Sequence, residues 1–381
     1  MMTSWQIHFA WQSQRLGTRF RAGVSLHSHT MHSREMLDFI PRILRSVPVL
    51  RQVLASEERR FAERHGRPPD YASAYWTPPL GEREAYTLER RQIEGLGLHP
   101  LVSLTDHDNL DAAMHLHLMK AFREAPVSVE WTVPYGPSFF HLGVHNLAAD
   151  EARAWMATLA EFTAQPRPAR LAELLSALNA CPNVLVVLNH PFWDEKGIGP
   201  AGHRLLLGDL LRRYGQWIHA VEFNGMRPWL ENRDVLQLAR EWNQCVISGG
   251  DRHCSHANTV LNLTNAHSLD EFVDEVRRDR LSEVLVLKEY RESYHVRFAE
   301  AIWDIVRDYP EHLGRVHWSD RVFYRGDDGQ YQPMSHVWAE EPPRMVQLGG
   351  LAVRLLGSGP VRSTLLSTLR LAVRAGGEAL P

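Results

Sequence analysis

The sequence has few cysteines, no long apolar run and no excess of charge of either sign. Its three cysteines, Cys181, Cys245 and Cys254, are widely spaced and form no C-x-x-C pair. This spacing argues against a disulfide framework or a zinc ribbon and fits a reducing cytosol. No stretch of about 18 apolar residues is present, so no membrane-spanning helix is expected. The formal net charge of −3 gives neither a nucleic-acid footprint nor a polybasic membrane signal.

The first twenty residues, MMTSWQIHFAWQSQRLGTRF, contain no continuous apolar segment. No signal peptide is therefore predicted, and a cytoplasmic location is expected. The 381 residues, 44% of them apolar, suffice for one large domain with additions or for two modest domains. Histidine is the exception to this ordinary composition. There are 21 histidines, and only their positions can distinguish scattered surface groups from a site.

Short apolar runs alternate with helical patterns along most of the chain. The runs predicted as strands are 24–26, 101–105, 127–131, 139–144, 184–189, 219–223, 245–248 and 283–287, and the helical patterns between them are 108–122, 150–163, 168–180, 203–214, 230–242 and 268–279. Near-continuous β-branched runs such as VLVVL are typical of buried parallel strands. Strands that alternate with helices of this length indicate βαβ units. We therefore predict an α/β fold built as a (β/α) barrel, with a doubly wound open sheet as the alternative.

Two regions interrupt this alternation. Residues 47–96 separate the first two strands by far more than a usual connection, and we interpret them as an insertion over one end of the barrel or as a packed surface excursion. Residues 296–381 form a predicted C-terminal extension of a barrel that spans 20–295. RVFYRGDDGQYQPM is typical of a hairpin, and 363–375 has the pattern of an amphipathic helix. Such a stripe is more often core or subunit contact than membrane surface, so this helix is a candidate for either, and an oligomer could form through it.

Imidazole and carboxylate side chains occur at or just after nearly every predicted strand. In chain order they are His27 and His29, then Asp106, His107 and Asp108, then Glu130, His141, His190, Glu222 with Asn224, and finally Asp251 and His253. The carboxyl ends of parallel barrel strands open on one face, where the side chains available for chemistry lie. Divalent transition metals prefer imidazole nitrogen and carboxylate oxygen. The ordered series therefore predicts a site for more than one metal ion, whereas a single His-x-His would be weak evidence.

Five motifs of this series resemble, in the same order, those of the polymerase-and-histidinol-phosphatase (PHP) family of metal-dependent phosphoesterases. They are HSHT, TDHD, the spacing of Glu130 and His141 in EWTVPYGPSFFH, NHP and GGDRH. The resemblance runs from about residue 23 to 255 and is interrupted by the 47–96 segment. It implies a distorted (β/α)7 TIM-like barrel, two or three divalent metal ions such as Mn, Zn or Fe, and hydrolysis of phosphate esters.

The resemblance also implies a ligand set. His27, His29, Glu130 and Asp251 would hold one metal; Glu130 would bridge to a second metal held by His141 and His190; and His107 and His253 would hold a third. Metal ions lower the pKa of bound water, so a hydroxide would attack the phosphorus and no serine or cysteine nucleophile is required. His190 or His253, if not fully occupied by a metal ion, would protonate the leaving group.

The first motif departs from the family pattern at Arg34. The family usually has an acidic ligand there, and Glu35 or His32 would have to replace it for the third site to be retained. A guanidinium is well suited to hold a phosphate, so Arg34 is predicted to bind substrate. Arg227 and Arg252 are further candidate phosphate contacts. Asp106 is a candidate to orient His107, and Asp108 is predicted to cap the helix that follows.

The expected substrate is a small phosphorylated molecule. A run of arginines and aromatics in the insertion keeps a nucleotide among the candidates: Arg59, Arg60, Arg64, Arg67, Tyr71, Tyr75 and Trp76. No basic stripe indicates a long nucleic-acid groove. Two alternatives are an amidohydrolase-like metal hydrolase, disfavoured because no lysine lies among the strand-end residues, and a non-catalytic barrel serving as an interaction module, which only Arg34 favours.

Overall fold

The computed structural model describes residues 3–12, 19–37, 41, 45, 48–326, 328–337, 347, 351, 363 and 366–368. They divide into two compact units. The first contains the described residues within 1–33 and 80–301, and the second contains those within 34–79 and 302–368. The predicted insertion is thus divided between the units at residue 80. The domain boundaries at 295 and 296 stay a prediction.

The first unit contains most of the regular structure. Its strands are β1 (Ser4–Phe9), β2 (Ala22–Ser25), β5 (His99–Val102), β6 (Val127–Tyr135), β7 (Ser138–Leu147), β8 (Leu185–Leu188), β9 (Ala220–Asn224), β10 (Cys245–Gly249), β11 (Val260–Thr264) and β12 (Leu281–Val286). Its helices are α2 (Glu82–Gly95), α3 (Asp111–Leu118), α4 (Ala152–Ala164), α5 (Pro168–Ala180), α6 (Pro200–Tyr214), α7 (Trp229–Trp242), α8 (Leu269–Asp274) and α9 (Tyr294–Val306), which begins in this unit. All eight predicted strands are present, whereas β1, β11, α2 and α9 were not predicted.

Two five-stranded sheets carry these strands, in the orders β1-β12-β11-β2-β5 and β10-β9-β8-β7-β6. β1 with β12, β2 with β5, β8 with β9 and β9 with β10 are parallel pairs. However, β7 is antiparallel to both β6 and β8, and β11 is antiparallel to both β2 and β12. The protein is therefore a mixed α/β protein, and the predicted all-parallel arrangement is wrong.

Single bridges join the two sheets at both edges of the second one. Ser28 pairs with Arg252, beyond the ends of β2 and β10, and His107, beyond the end of β5, pairs with Glu130 on β6. Through these bridges β2, β5, β6, β7, β8, β9 and β10 follow one another laterally. Because the sheets meet only at isolated bridges and not along continuous ladders, a closed barrel among the described residues is not confirmed.

Buried apolar side chains pack the second sheet against the helices that follow its strands. Fully buried valines on its strands include Val129, Val144, Val186, Val221 and Val246. The facing helices contribute leucines to the same core, such as Leu174 and Leu175 of α5 and Leu210 of α6. This packing holds the strands rigidly, so side chains at their ends have fixed positions.

The second unit has a four-stranded sheet of its own. It joins β3 (Glu35–Met36), β4 (Tyr75–Trp76), β13 (Val322–Arg325) and β14 (Tyr331–Pro333) in the order β14-β13-β4-β3, and the unit also contains α1 (Pro48–His65) and α10 (Met334–Val337). The antiparallel pairing of β13 and β14 confirms the predicted hairpin. Most of the predicted amphipathic helix 363–375 lies outside the described residues. Among the described residues, every helix is too short or too polar to cross a membrane.

Candidate metal centre

The chain turns sharply at three of the predicted ligands. His27, His190 and Asp251 have left-handed backbone conformations, with φ of 62°, 26° and 52°. Such conformations are costly for residues other than glycine and are concentrated at functional sites. The Asp251 amide donates to the His27 carbonyl (2.7 Å), and the His29 amide donates to the Arg252 carbonyl (2.8 Å). These bonds hold the HSHT and GGDRH segments side by side.

Glu130 lies at the centre of the site. It is fully buried in the middle of β6, and imidazole nitrogens approach both of its carboxylate oxygens. Oε2 is 3.0 Å from His27 Nε2, 3.2 Å from His29 Nε2 and 3.4 Å from His107 Nδ1, and Oε1 is 3.1 Å from His190 Nε2 and 3.6 Å from His141 Nδ1. One carboxylate thus faces five imidazoles. The Asn189 side-chain amide also donates to Oε1 at 2.9 Å.

Asp251 is a second carboxylate that lies near several of the same imidazoles. Its Oδ1 is 3.6 Å from His29 Nε2, 3.7 Å from His27 Nε2 and 3.5 Å from His253 Nδ1. The rings of His29 and His253 are stacked, with their centroids 4.1 Å apart. The structure therefore brings together all eight predicted metal ligands, within the first unit.

Charge within the site favours ionised carboxylates. Burial alone would raise the pKa of Glu130, but the nearby imidazoles of His27 and His107 outweigh burial and hold that pKa well below its ordinary value. Asp251 shows the same balance, with burial opposed by His27 and by a hydrogen bond from His29, and its pKa is also well below the ordinary value. Burial lowers the pKa of His141 well below its usual range. Anionic carboxylates and neutral imidazole are the forms that bind cations.

The donor atoms fit divalent metal ions. His141 Nδ1 and His190 Nε2 are 3.4 Å apart, and His141 Nε2 is buried with no hydrogen-bond partner among the described residues. Within the described residues, His27, His29 and Glu130 form one group whose ligand atoms lie within 4.8 Å of one another, and His107, Glu130 and His141 form another. Two groups that share one carboxylate match what a centre of two or more ions requires.

Glu222 supports the centre in a way that the sequence did not indicate. It is fully buried on β9, and its Oε1 accepts from His27 Nδ1 at 2.5 Å. Its Oε2 accepts from the His190 amide at 2.8 Å and from Asn224 Nδ2 at 2.9 Å. A carboxylate on the far nitrogen of a metal-binding imidazole fixes its orientation and increases its basicity. The strand-end position of Glu222 was recognised in the sequence, but its role was not.

The two glycines of the GGDRH motif make room for this arrangement. A Cβ at Gly249 would lie 1.5 Å from Glu222 Oε1, and a Cβ at Gly250 would lie 1.7 Å from Asn258 Oδ1. Any larger residue at position 249 would displace the carboxylate that orients His27. The motif therefore contributes space as well as the ligands Asp251 and His253.

Replacing Glu222 by glutamine should weaken metal binding by about 10- to 100-fold. The glutamine amide has no negative charge to pair with His27. Both carboxylate oxygens of Glu222 accept hydrogen bonds, so the NH2 group of glutamine would face a donor whichever oxygen it replaced. Competition with a chromogenic chelator for Mn²⁺ measures the change. Glu241→Gln, at an exposed position of α7, is the matched control, and equal affinity of the two variants would contradict the orienting role.

Arg227 lies beside Asp251. Its Nη2 is 3.5 Å from Asp251 Oδ2, and its guanidinium lies 3.8 Å from the centroid of the Trp193 ring. Its Nε is 3.9 Å from Glu231 Oε1. The arginine predicted to bind phosphate therefore lies next to the ligand set, with its guanidinium over the Trp193 ring.

Arg252 and Arg34 are placed differently. Arg252 is 2% exposed and donates from Nε to Glu89 Oε1 (2.6 Å) and from Nη1 to the Cys254 carbonyl (2.7 Å). This arrangement does not favour the predicted contact with substrate. Arg34 belongs to the second unit, where its guanidinium lies 5.2 Å from the centroid of the Tyr75 ring. Its predicted phosphate role stays a prediction.

The hydrogen bonds of Asp106 and Asp108 go to Thr30 and Thr132, which the sequence did not predict. Asp106 accepts from the amide and the hydroxyl of Thr30, at 2.6 and 2.7 Å. It thus fixes the segment that follows His29, and the predicted role of Asp106 in orienting His107 stays a prediction. Asp108 accepts from the Thr132 amide at 2.9 Å, and the amide of Asp111, the first residue of α3, donates instead to Asn109 Oδ1 at 2.6 Å. The predicted capping role of Asp108 is wrong, because Asn109 makes that contact.

Comparisons with known proteins give distant structural neighbours. No family model and no curated protein matches the chain. PsfC from Pseudomonas syringae PB-5123 aligns over 75% of this chain and 98% of its own, with 12% identity and a TM-score of 0.39. A sulfate-bound, metal-free amidohydrolase from Chromobacterium violaceum covers 47% of this chain and 84% of its own, with 15% identity and a TM-score of 0.33. A proposed metal-dependent phosphoesterase from Bifidobacterium adolescentis covers 52% and 91%, with 16% identity and a TM-score of 0.31. Likeness at this level carries no argument, so the functional conclusion depends on the site.

Proposed function

We propose that the chain is a metal-dependent phosphoesterase that hydrolyses a small phosphate ester at a centre of two or three divalent metal ions. The observation that carries this proposal is the convergence of five imidazoles on the buried carboxylate of Glu130, beside a second carboxylate, Asp251, and a guanidinium, Arg227. Imidazoles and carboxylates would hold the metal ions, and the guanidinium would bind the phosphate. The motif order that resembles the PHP family supports the same reading.

The distances suggest how the ligands would be shared. His27 and His29 lie between Oε2 of Glu130 and Oδ1 of Asp251, whereas His141 and His190 face Oε1 of Glu130. Glu130 would therefore bridge two ions. His107 and His253 each stack on the His29 ring, at centroid distances of 4.8 and 4.1 Å, and a ring nitrogen of each lies within 4.8 Å of the other. These two histidines would hold a third ion.

Bound metal ions would supply a hydroxide nucleophile at neutral pH and neutralise charge on the phosphate oxygens. The side chains of the protein would orient the ligands and donate a proton. Glu222 orients His27 and the His190 backbone, and Glu130 is fully buried. The side chain of His253 is 19% exposed, against 8% for His190. In a centre of two ions, where His253 is not a ligand, His253 would therefore be the better placed of the two predicted acids to give a proton to a leaving group.

Arg227 favours a phosphate over a carbonyl substrate. Its planar guanidinium matches two phosphate oxygens. Its contact with the Trp193 ring already restricts the side chain, so less conformational entropy would be lost on binding. An amidohydrolase-like reaction would use the same kind of centre. Lys196, the lysine that follows β8, places its ammonium 5.3 Å from the centroid of the Phe139 ring. This position does not indicate a lysine that bridges metal ions.

Hydrolysis by the metal-loaded chain tests the proposal. Protein stripped with a chelator and reloaded with Mn²⁺, Zn²⁺ or Fe²⁺ should hydrolyse at least one member of a panel of phosphate mono- and diesters, nucleotides included. The His27→Ala, His29→Ala double variant should lose this activity, while His267→Ala, at an exposed position, should retain it. Turnover of amides alone, or equal phosphoesterase activity in the double variant, would contradict the proposal.

A further inference from the structure

Two histidines and a glutamate form a separate cluster in the first unit. Glu82 Oε2 is 3.1 Å from His32 Nε2, and Glu82 Oε1 is 3.7 Å from His115 Nδ1. The two rings meet edge to face, with centroids 5.0 Å apart. None of the three side chains belongs to the ligand set around Glu130. Their ligand atoms all lie within 4.8 Å of one another.

We propose that His32, Glu82 and His115 form a peripheral binding site for a zinc ion. Four ligands at about 2.0–2.1 Å around a tetrahedral zinc are separated from one another by about 3.3 Å. The His32 and His115 nitrogens lie 3.1 and 3.7 Å from the two oxygens of Glu82, near that value, and one ligand atom of each residue lies within 4.8 Å of the others. Two imidazole nitrogens and one carboxylate oxygen are ligands that zinc prefers.

A simple ion pair accounts less well for the three groups. One protonated imidazole would suffice to neutralise Glu82, and a second protonated ring at 5.0 Å would be repelled by the first. Asp111, in the first turn of α3, adds further negative charge near His32. A divalent cation between two neutral rings would bind Glu82 and one nitrogen of each ring without that repulsion, and the charge of Asp111 would favour it.

The three ligands come from three separate segments of the chain. His32 follows His29 by three residues, Glu82 is the first residue of α2 and His115 lies on α3, which follows His107. A shared zinc ion would therefore fix the loop that carries His29 to the helix that follows His107. His115 has 49% side-chain exposure, against 17% for His32 and for Glu82. The fourth coordination position would thus face solvent, and the ion would exchange with the medium.

Zinc stoichiometry tests this site independently of any activity. Equilibrium dialysis of the full chain against Zn²⁺, followed by elemental analysis, should show one equivalent fewer in His115→Ala than in the unmodified chain. His117→Ala, on the same helix, is the matched control and should bind as much as the unmodified chain. Glu82→Gln should also lose one equivalent, which guards against an effect peculiar to His115.

A second comparison separates this site from the one around Glu130. In the His27→Ala, His29→Ala background, His115→Ala should again remove one equivalent. Co²⁺ bound in that background should show the visible absorption of a four-coordinate ion, and this band should weaken by at least about tenfold in His115→Ala at equal protein. Equal zinc content of the His115→Ala and His117→Ala chains would overturn the proposal, whatever the outcome for phosphoesterase activity.

Discussion

Replacing Glu130 by glutamine is expected to reduce phosphoesterase activity by more than about 100-fold and to release metal. Loss of a group that only orients a ligand costs about 10- to 100-fold, and Glu130 is predicted to be a ligand itself. Its two oxygens face five imidazole nitrogens at 3.0 to 3.6 Å, so a neutral amide would leave both metal positions short of an anion. Measurement of kcat/KM with Mn²⁺, together with metal content, checks the result.

The same substitution needs a control for folding. Burial would raise the pKa of Glu130, and His27 and the other imidazoles lower it, so the carboxylate also offsets positive charge in the metal-free protein. Circular dichroism and thermal unfolding should therefore accompany the kinetics. Glu161→Gln, at an exposed position of α4, should behave as the unmodified chain. A folded Glu130→Gln variant that retains its metal and its activity would show that Glu130 is not a metal ligand.

Most of the ligand positions were accessible from the sequence because they follow strands, although Glu130 and His141 lie within β6 and β7. Apolar β-branched runs are a local signal, and the buried strands β8, β9 and β10 were each predicted within about two residues of their bounds. His190 and Asp251 come directly after such runs. Once strand ends are known to converge, the meeting of these side chains around Glu130 follows. Which nitrogen faces which oxygen depends on ring orientation and could not be predicted.

The direction of the strands was harder to infer. An apolar run is similar in parallel and antiparallel sheets when both faces are buried. The short connection between β6, which ends at Tyr135, and β7, which begins at Ser138, was the available signal, because two residues cannot carry a parallel crossover. Gly136 has a φ of 58°, in keeping with a tight hairpin turn. A stricter use of connection length would have predicted this antiparallel pair.

Glu222 shows the limit of motif reading. Its bond to His27 joins residues 195 positions apart, and no local pattern encodes such a distance. A buried carboxylate at the end of an apolar strand was the only available indication, since buried acids are almost always paired. The partner depends on how β2 and β9 are placed across the site.

The neighbours of Arg252 gave a misleading signal of another kind. It stands between Asp251 and His253, which suggested contact with the same substrate. The backbone turns at Asp251, whose φ is 52°, so neighbours in the sequence need not point to the same place. In the structure Arg252 donates to Glu89 and to the Cys254 carbonyl instead.

Replacing Arg252 by methionine is expected to lower the free energy of unfolding by about 3–5 kcal/mol, because it leaves a buried carboxylate without its counter-ion. Glu89 is fully buried and Arg252 is 2% exposed. The remaining partners of Glu89, such as the hydroxyls of Ser25 and Ser28 at 3.0 and 3.4 Å, are neutral donors. Urea unfolding of the metal-free chain, followed by fluorescence, measures the loss.

The double variant Arg252→Met, Glu89→Leu separates this structural role from the predicted role in substrate binding. Exchange of both buried charges for apolar groups is often close to neutral, so the double variant should recover most of the stability lost in the single one. If Arg252 instead bound the phosphate of the substrate, the single variant would unfold at nearly the same urea concentration as the unmodified chain. Its KM would then rise, and removal of Glu89 would restore nothing. Because the guanidinium already donates to Glu89 and to the carbonyls of Cys254 and His29, the loss of stability is the outcome that we expect.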